Sequence, residues 1–150
     1  MAGYSKTPLA KKLGVKPGAR MVLVSAPDGF GDSLQPLPGA VRLSSEDAGG
    51  IAELDQDVDV FILFCRSASD LSRSLRPAAS RLATAGGLWV AWPKKSSGLE
   101  TDLDFAAVQQ AGLDLGLVDN KVCAVEQTFS GLRFVVRREN RAAWAAGRRL

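Results

Sequence analysis

The segment from Ala85 to Ser97 constrains the fold more than any other part of the chain. Two glycines are followed by a continuous apolar run, Leu88–Trp92, which opens into Pro-Lys-Lys-Ser-Ser. A short apolar run without polar alternation is typical of a strand buried on both faces, as in a parallel sheet covered by helices. Ligands of such sheets bind in the crevice at the carboxyl ends of the strands. The segment therefore predicts an α/β fold with a crevice beside residues 93–97.

Two further apolar runs, Met21–Ser25 and Val58–Phe64, have the same character. We expect them to lie beside Leu88–Trp92 and to point the same way, because helical patterns separate the runs. A short strand at Val41–Leu43 adds to the sheet. The remaining elements are predicted as helices at residues 7–14, 67–84 and 101–112, and as strands at 120–127 and 132–138 joined by a hairpin loop at 128–131.

This order predicts a three-layer, Rossmann-like α/β fold with a mostly parallel sheet and a C-terminal antiparallel hairpin. We expect one domain, residues 1–150, whose residues 139–150 form a frayed basic tail.

Capping and breaking residues place the ends of the helices. Thr7 is predicted to cap the first helix, and Thr101 to cap the last one, which Gly112 ends. Gly86-Gly87 should stop the middle helix, which Pro77 should kink or restart.

Composition excludes several kinds of site. The chain has 150 residues and no histidine, so Ser-His and Cys-His nucleophile systems are excluded. Cys65 and Cys123 lie in apolar runs and are expected to be buried free thiols rather than a disulfide or metal pair.

The longest apolar run, Val60–Cys65, is far short of the roughly 20 residues of a membrane helix. The N-terminus lacks the apolar core of a signal peptide, so a cytoplasmic protein without a membrane partner is expected.

Charge is distributed unevenly along the chain. The net charge is +3, but both ends are basic and the middle is acidic. A solvated surface explains basic ends most simply; nucleic-acid binding is the alternative, because the topology should bring both ends to the side opposite the crevice. That positive surface would contain Lys11, Lys12, Lys16, Arg137, Arg138, Arg141, Arg148 and Arg149.

Three loops should converge in the crevice. The residues expected to bind a ligand are Asp28, Gly29, Phe30 and Gly31 after the first strand, Arg66 and Ser67 after the next, and Pro93, Lys94, Lys95 and Ser96 after Leu88–Trp92. Two lysines facing an arginine suit a small anionic ligand, such as a phosphate or a carboxylate. A lysine pair that is merely solvated on a loop is the alternative.

Aromatic residues and Asp28 have more than one interpretation each. Trp89 and Trp92 have opposite parity on one strand, which predicts packing against both helix layers, with base stacking by Trp92 as the alternative. Phe30 and Phe129 fall in loops and either form a ligand platform or close the rim of the core. Asp28 is a general base, a ribose contact or a turn residue.

Several segments resemble class I methyltransferases. Leu13–Val24 is similar to the start of their first strand, Leu82–Val90 to the glycine pair before their fifth, and Ala111–Leu113 to the end of their last helix. The resemblance implies S-adenosylmethionine (SAM) bound by a glycine-rich loop after strand one, with an acid after strand two on the ribose. Here the loop keeps only Gly29-x-Gly31, the acid would be Glu46 or Asp47, and one strand–helix unit is missing.

A closer resemblance is to a small bacterial family of unknown function. It is carried by Lys12-Leu-Gly14, Trp89–Lys94 and Ser130–Phe134, and it implies no activity.

The sequence leaves three functions open. The first is a non-catalytic Rossmann-like domain that binds a small anionic ligand or a protein partner, which the altered loop and the absence of histidine favour. The second is a reduced SAM-dependent methyltransferase. Nucleic-acid binding through the basic surface is the third.

Overall fold

The computed structural model describes residues 7–54 and 57–147. Its strands are β1 (Arg20–Val24), β2 (Arg42–Glu46), β3 (Val58–Phe64), β4 (Leu82–Pro93), β5 (Leu117–Ala124) and β6 (Phe129–Val136). Its helices are α1 (Leu9–Lys12), α2 (Phe30–Ser33), α3 (Ala68–Arg81), α4 (Phe105–Asp114) and α5 (Arg141–Ala145), with 3-10 turns at Ala48–Glu53, Lys95–Ser97 and Arg138–Asn140.

The strands form one sheet in the order β2-β1-β3-β4-β6-β5. The first four run parallel, with Met21 opposite Val60 and Phe61 opposite Leu88. β6 is antiparallel to both β4 and β5. The predicted α/β class, the parallel arrangement of the three apolar runs and the C-terminal hairpin are all confirmed.

Each face of the sheet carries its own core. On one face α3, α4 and α5 cover Phe61, Leu63 and Trp92; on the other α1 and α2 cover Met21 and Trp89. The two tryptophans pack on opposite faces, as their parity predicts.

The glycine pair does not stop a helix. α3 ends at Arg81 and β4 begins at Leu82, so Gly86 and Gly87 lie inside the strand. A Cβ added at Gly86 would lie 2.8 Å from the Asp59 carbonyl oxygen, and one added at Gly87 would overlap the Arg133 guanidinium. These glycines permit close packing within the sheet. α3 continues through Pro77 as one element.

The predicted caps are also corrected. Pro8, not Thr7, is the N-cap of α1. Asp104, not Thr101, caps α4 by accepting the Ala107 amide at 2.8 Å. α4 extends to Asp114.

The predicted hairpin loop belongs largely to a strand. Phe129 and Gly131 pair with Pro93 and Ala91, so the turn comes earlier, at residues 125–128. Glu126 closes it by accepting hydrogen bonds from the amide and hydroxyl of Thr128. β6 thereby reaches the carboxyl end of β4.

The first part of the predicted basic tail forms a 3-10 turn and the helix α5. Trp144 in α5 is 2% exposed and donates through Nε1 to the Leu82 carbonyl oxygen at 2.9 Å. Arg148 and Arg149 lie outside the described residues. α1 and α5 pack on opposite faces of the sheet, so the sheet separates Lys11 and Lys12 of α1 from Arg141 of α5.

The front half of the sheet is short. Only a 3-10 turn connects β2 to β3 among the described residues, and β2 forms an exposed edge of the sheet. The longest described helix, α3, has 14 residues, and no described helix is long and apolar enough to cross a membrane.

Candidate functional site

The carboxyl ends of β1, β3 and β4 lie next to one another. Val24 pairs with Leu63 and Phe64 with Ala91, and the Cys65 amide donates to the Ala91 carbonyl oxygen at 2.8 Å. The three predicted loops therefore meet at one edge of the sheet, and the hairpin turn at residues 125–128 lies on the same side.

The first feature of this edge is a cleft between the ends of β1 and β2, which we call the β1–β2 cleft. Its volume is about 620 Å³, within the range of small-molecule sites. It is lined by residues 25–31 and 45–47 together with Leu23 and Leu43. Four of the predicted site residues, Asp28 to Gly31, thus lie together.

The loop that follows β1 has an unusual backbone. Ser25 adopts a positive φ of 56°, and Gly29 one of 82°. A non-glycine residue in this region costs of order 1 kcal/mol, and such residues cluster at functional sites. A Cβ added at Gly29 or Gly31 would meet no atom within 4 Å, so the backbone there is open to the cleft.

The two aromatic residues that the sequence places in loops belong to the core. Phe30 and Phe129 are each 3% exposed. Both pack edge-on against Phe64, with ring centroids 4.9 and 5.2 Å away. The arrangement favours the core-rim interpretation over a ligand platform.

The two acids after β2 have different surroundings. Asp47 caps the 3-10 turn by accepting the Gly50 amide through Oδ1 at 2.8 Å. Glu46 is half-buried, and its carboxylate accepts no hydrogen bond within the described part of the chain. Glu46 and the exposed Asp28 are therefore the carboxylates of the β1–β2 cleft that are available to a ligand.

Arg66 joins the strand ends. Its Nη1 donates to the Ser25 carbonyl oxygen at 3.0 Å, and its Cζ lies 5.4 Å from the centroid of the Phe129 ring. Its amide donates to Asp70 Oδ2 at 3.0 Å. This bond, helped by Arg73, holds the pKa of Asp70 below its ordinary value. Ser67 caps α3 by accepting the Asp70 amide at 3.1 Å.

A second cleft, of about 800 Å³, opens on the other side of Arg66. Arg66, Ser67, Lys95 and residues 99–104 line it, and we call it the Arg66–Asp104 cleft. Lys95 thus lines the same cleft as Arg66, whereas the sequence predicts that both Lys94 and Lys95 face Arg66. Lys94 instead donates its amide to the Thr128 carbonyl oxygen at 2.9 Å; Pro93 is buried and Ser96 exposed beside it.

Residues 99–104 also belong to this edge, although the sequence pattern did not place them there. Asp102 Oδ1 accepts the Ala68 amide at 2.7 Å, so a carboxylate of the chain already occupies the N-terminus of α3. Acids alternate at positions 100, 102 and 104, soon after a loop that is predicted to lie in the crevice. This pattern is the signal that could have placed residues 99–104 at the edge of the sheet.

Cys65 lies beneath the crevice and is inert. It is fully buried, with Sγ 3.6 Å from Ser74 Oγ. Burial raises the pKa of this thiol to about 11. Cys65 is the buried free thiol expected from the sequence, whereas Cys123 is also a free thiol but only half-buried.

Comparison with known proteins gives matches to solved structures alone. No protein-family model matches the sequence, and a comparison with curated proteins finds no match. The closer bacterial family named above therefore stays a prediction.

Three solved methyltransferase structures illustrate the likeness. The magnesium protoporphyrin IX methyltransferase of Synechocystis PCC 6803, with bound SAH, has a TM-score of 0.58 at 13% identity, covering 86% of this chain and 78% of that one. Precorrin-6y C5,15-methyltransferase of Geobacter metallireducens GS-15 has a TM-score of 0.62 at 12% identity, covering 86% of both chains.

The third is a complex between the Haloferax volcanii Trm112 methyltransferase activator and a putative methyltransferase. Its TM-score is 0.59 at 14% identity, and the match covers 87% of both chains. Identities this low show a shared fold and no more. The chain therefore has the Rossmann-like fold of the class I methyltransferases, with a shortened front half.

Proposed function

We propose that this chain is a reduced methyltransferase that binds SAM in the β1–β2 cleft. The observation that carries the proposal is the position of Glu46. Glu46 is the last residue of β2, and it lines the same cleft as Gly29 and Gly31, whose backbone is open to that cleft. The structural neighbour with bound SAH has the same fold. These points favour the methyltransferase over the non-catalytic domain.

The residues of the cleft fit such a ligand. Glu46 would accept hydrogen bonds from the ribose hydroxyls, and the loop from Asp28 to Gly31 would lie along the nucleoside. Arg66, at the boundary of the two clefts, would pair with the carboxylate of the amino-acid moiety.

One position of the loop departs from the resemblance. The glycine-rich loop of methyltransferases often reads Asp/Glu-x-Gly-x-Gly, whereas Pro27 stands two residues before Gly29 in this chain, in the place of that acid. Binding in this chain would therefore depend on Glu46 and Arg66 more heavily than the motif implies.

The methyl acceptor would lie in the Arg66–Asp104 cleft. SAM, when bound, would supply an electrophilic methyl group to it. Asp102 and Asp104 already accept the amides of Ala68 and Ala107, which leaves Glu100 as the acid able to take a proton from the acceptor. Arg66 and Lys95 would favour an anionic acceptor.

Calorimetric titration with SAM and SAH tests the proposal. We expect saturable binding to the wild-type chain, and a loss of about tenfold or more in affinity for Glu46→Gln, since a charge-assisted hydrogen bond is worth about 1.5–3 kcal/mol. Asp47→Asn is the matched control, because Asp47 already caps a turn, and its affinity should stay near wild type.

Two results would count against the proposal. If the wild-type chain binds neither SAM nor SAH, the proposal is wrong. The non-catalytic function, binding of a small anionic ligand or a protein partner, is then favoured. Equal losses in Glu46→Gln and Asp47→Asn would remove Glu46 from the site.

A further inference from the structure

We propose that the face of the sheet covered by α1 binds the phosphate groups of a nucleic-acid backbone through Lys12, Lys121 and Arg133. The surface is independent of SAM binding. α1 is held on this face by Trp89, whose Nε1 donates to the Leu13 carbonyl oxygen at 3.0 Å. The crevice lies at the carboxyl end of β4, whereas Arg133 pairs with Trp89 farther back along that strand.

Arg133 is the centre of this surface. Its guanidinium lies against Gly87 and beside Gly14, and a Cβ at Gly87 would overlap it. Among the described residues, Nε is buried without a hydrogen-bond partner, and Nη1 donates to Asn120 Oδ1 at 3.4 Å. A guanidinium partly withdrawn from water without an anion is unfavourable. Its desolvation lowers the pKa of Arg133, and no carboxylate opposes that shift.

Two lysines meet beside the arginine. Lys121 lies opposite Arg133 on the neighbouring strand, and its Nζ donates to the Lys12 carbonyl oxygen at 2.7 Å. Both lysines lie close enough to Cys123 to affect its pKa. Burial raises the pKa of this thiol, and the positive charges of Lys12 and Lys121 oppose that rise. Within residues 7–54 and 57–147, no carboxylate forms an ion pair with Lys12, Lys121 or Arg133.

A nucleic-acid backbone fits this surface better than an acidic protein does. Lys11 and Lys16 extend the charge along the same segment, which contains no acid between residues 7 and 20. A guanidinium can bind two phosphate oxygens at once. A protein interface would need an apolar centre, and the large apolar side chains that are exposed in the described residues are not on this face. They are Leu99, Phe105 and Val122.

Fluorescence anisotropy with a labelled single-stranded RNA of about 20 nucleotides tests the proposal. We expect saturable binding that weakens as salt rises, because each phosphate contact releases counterions. Lys12→Gln with Lys121→Gln should lower the affinity about tenfold and reduce the slope of log K against log salt by about 1–2. Arg42→Gln with Arg76→Gln, two exposed arginines elsewhere, removes the same charge and should change affinity less than about threefold.

Arg133→Gln adds a second arm, with its folding checked by thermal unfolding. We expect a loss of RNA affinity comparable to that of the Lys12→Gln, Lys121→Gln double variant. If Arg133→Gln fails to fold, the double variant alone tests the proposal. Equal losses in the two double variants would show attraction to net charge alone and would overturn the proposal. Absence of saturable RNA binding would overturn it as well. So would displacement of RNA by polyglutamate at equal charge concentration, which would assign the surface to an acidic protein.

Discussion

At the scale of single residues, the ability of the crevice to bind a ligand depends on which of its carboxylates already accept hydrogen bonds from the chain. Asp70 holds the amide of Arg66 and forms an ion pair with Arg73 at 2.7 Å. Asp47 and Asp102 bind backbone amides. Asp28, Glu46 and Glu100 are left for a ligand. The sequence could place Asp28, Glu46 and Asp47 after predicted strands, but not Glu100 and Asp102 at the crevice. Which of these acids bind the chain itself depends on turn geometry that the sequence pattern does not contain.

Asp70 gives a prediction about pH. Because its pKa is lowered in the folded chain, its contribution to stability is present at neutral pH and is lost as the pH falls through the lowered pKa. Asp70→Asn should therefore lower Tm at neutral pH by about 1–2 °C, since the group is largely solvated. The difference from wild type should shrink below about pH 4, where the wild-type carboxylate takes up its proton.

Thermal unfolding followed by circular dichroism between about pH 2.5 and pH 7 measures this difference. Asp32→Asn, at an exposed position of α2, serves as the control and should track wild type. A difference for Asp70→Asn that stays constant across the range would show that its charge has no part in the effect.

At the scale of elements, α4 and β6 pack so closely that a glycine is required between them. Gly112 lies in α4 against the ring of Phe134, and an added Cβ would overlap that ring. The sequence predicts that this glycine ends the helix. The helix continues instead to Asp114, and Gly116, with a φ of 81°, follows its end. A single sequence does not distinguish a glycine that close packing requires from a glycine that ends a helix.

Gly112→Ala tests this packing. Alanine favours a helix over glycine, so a change from conformational preference alone would stabilise the chain by up to about 1 kcal/mol. We expect destabilisation by about 1–3 kcal/mol instead, because the ring of Phe134 cannot move aside within a filled core. Urea unfolding gives the sign directly.

Gly39→Ala is the control for that experiment. Gly39 is exposed, and no atom lies within 4 Å of an added Cβ there. Its unfolding midpoint should stay near wild type, and a stabilised Gly112→Ala would contradict the packing described above.

At the scale of the whole molecule, the apolar runs of β1, β3 and β4, together with the helical patterns between them, predict a parallel sheet with two covered faces. Continuous hydrophobicity has one physical explanation in a chain of this size, burial from both sides. The sequence pattern does not predict that β4 begins at Leu82 or that β6 begins at Phe129, because both boundaries depend on pairing with distant strands. Nor does it predict that α5 packs on the sheet, because the anchor of that helix is a single tryptophan without a periodic pattern.

Truncation tests that anchor. A chain that ends after Asn140 loses α5 and the buried Trp144, and should be destabilised by about 3–5 kcal/mol, the cost of removing a large buried aromatic side chain. A chain that ends after Gly147 keeps Trp144 and should unfold at the wild-type urea concentration. Equal stability of the two truncated chains would show that α5 contributes nothing to the fold.

The hydrogen bond from Trp144 to Leu82 also bears on synthesis by the ribosome. The partner of Leu82 is made 62 residues later, so β4 can pair with β3 long before its first residue is covered. In a chain that has not yet reached residue 144, the Leu82 carbonyl oxygen therefore lacks the indole that donates to it here. The helix that carries Trp144 therefore completes the cover of β4, whose second partner, β6, is itself made only shortly before that helix.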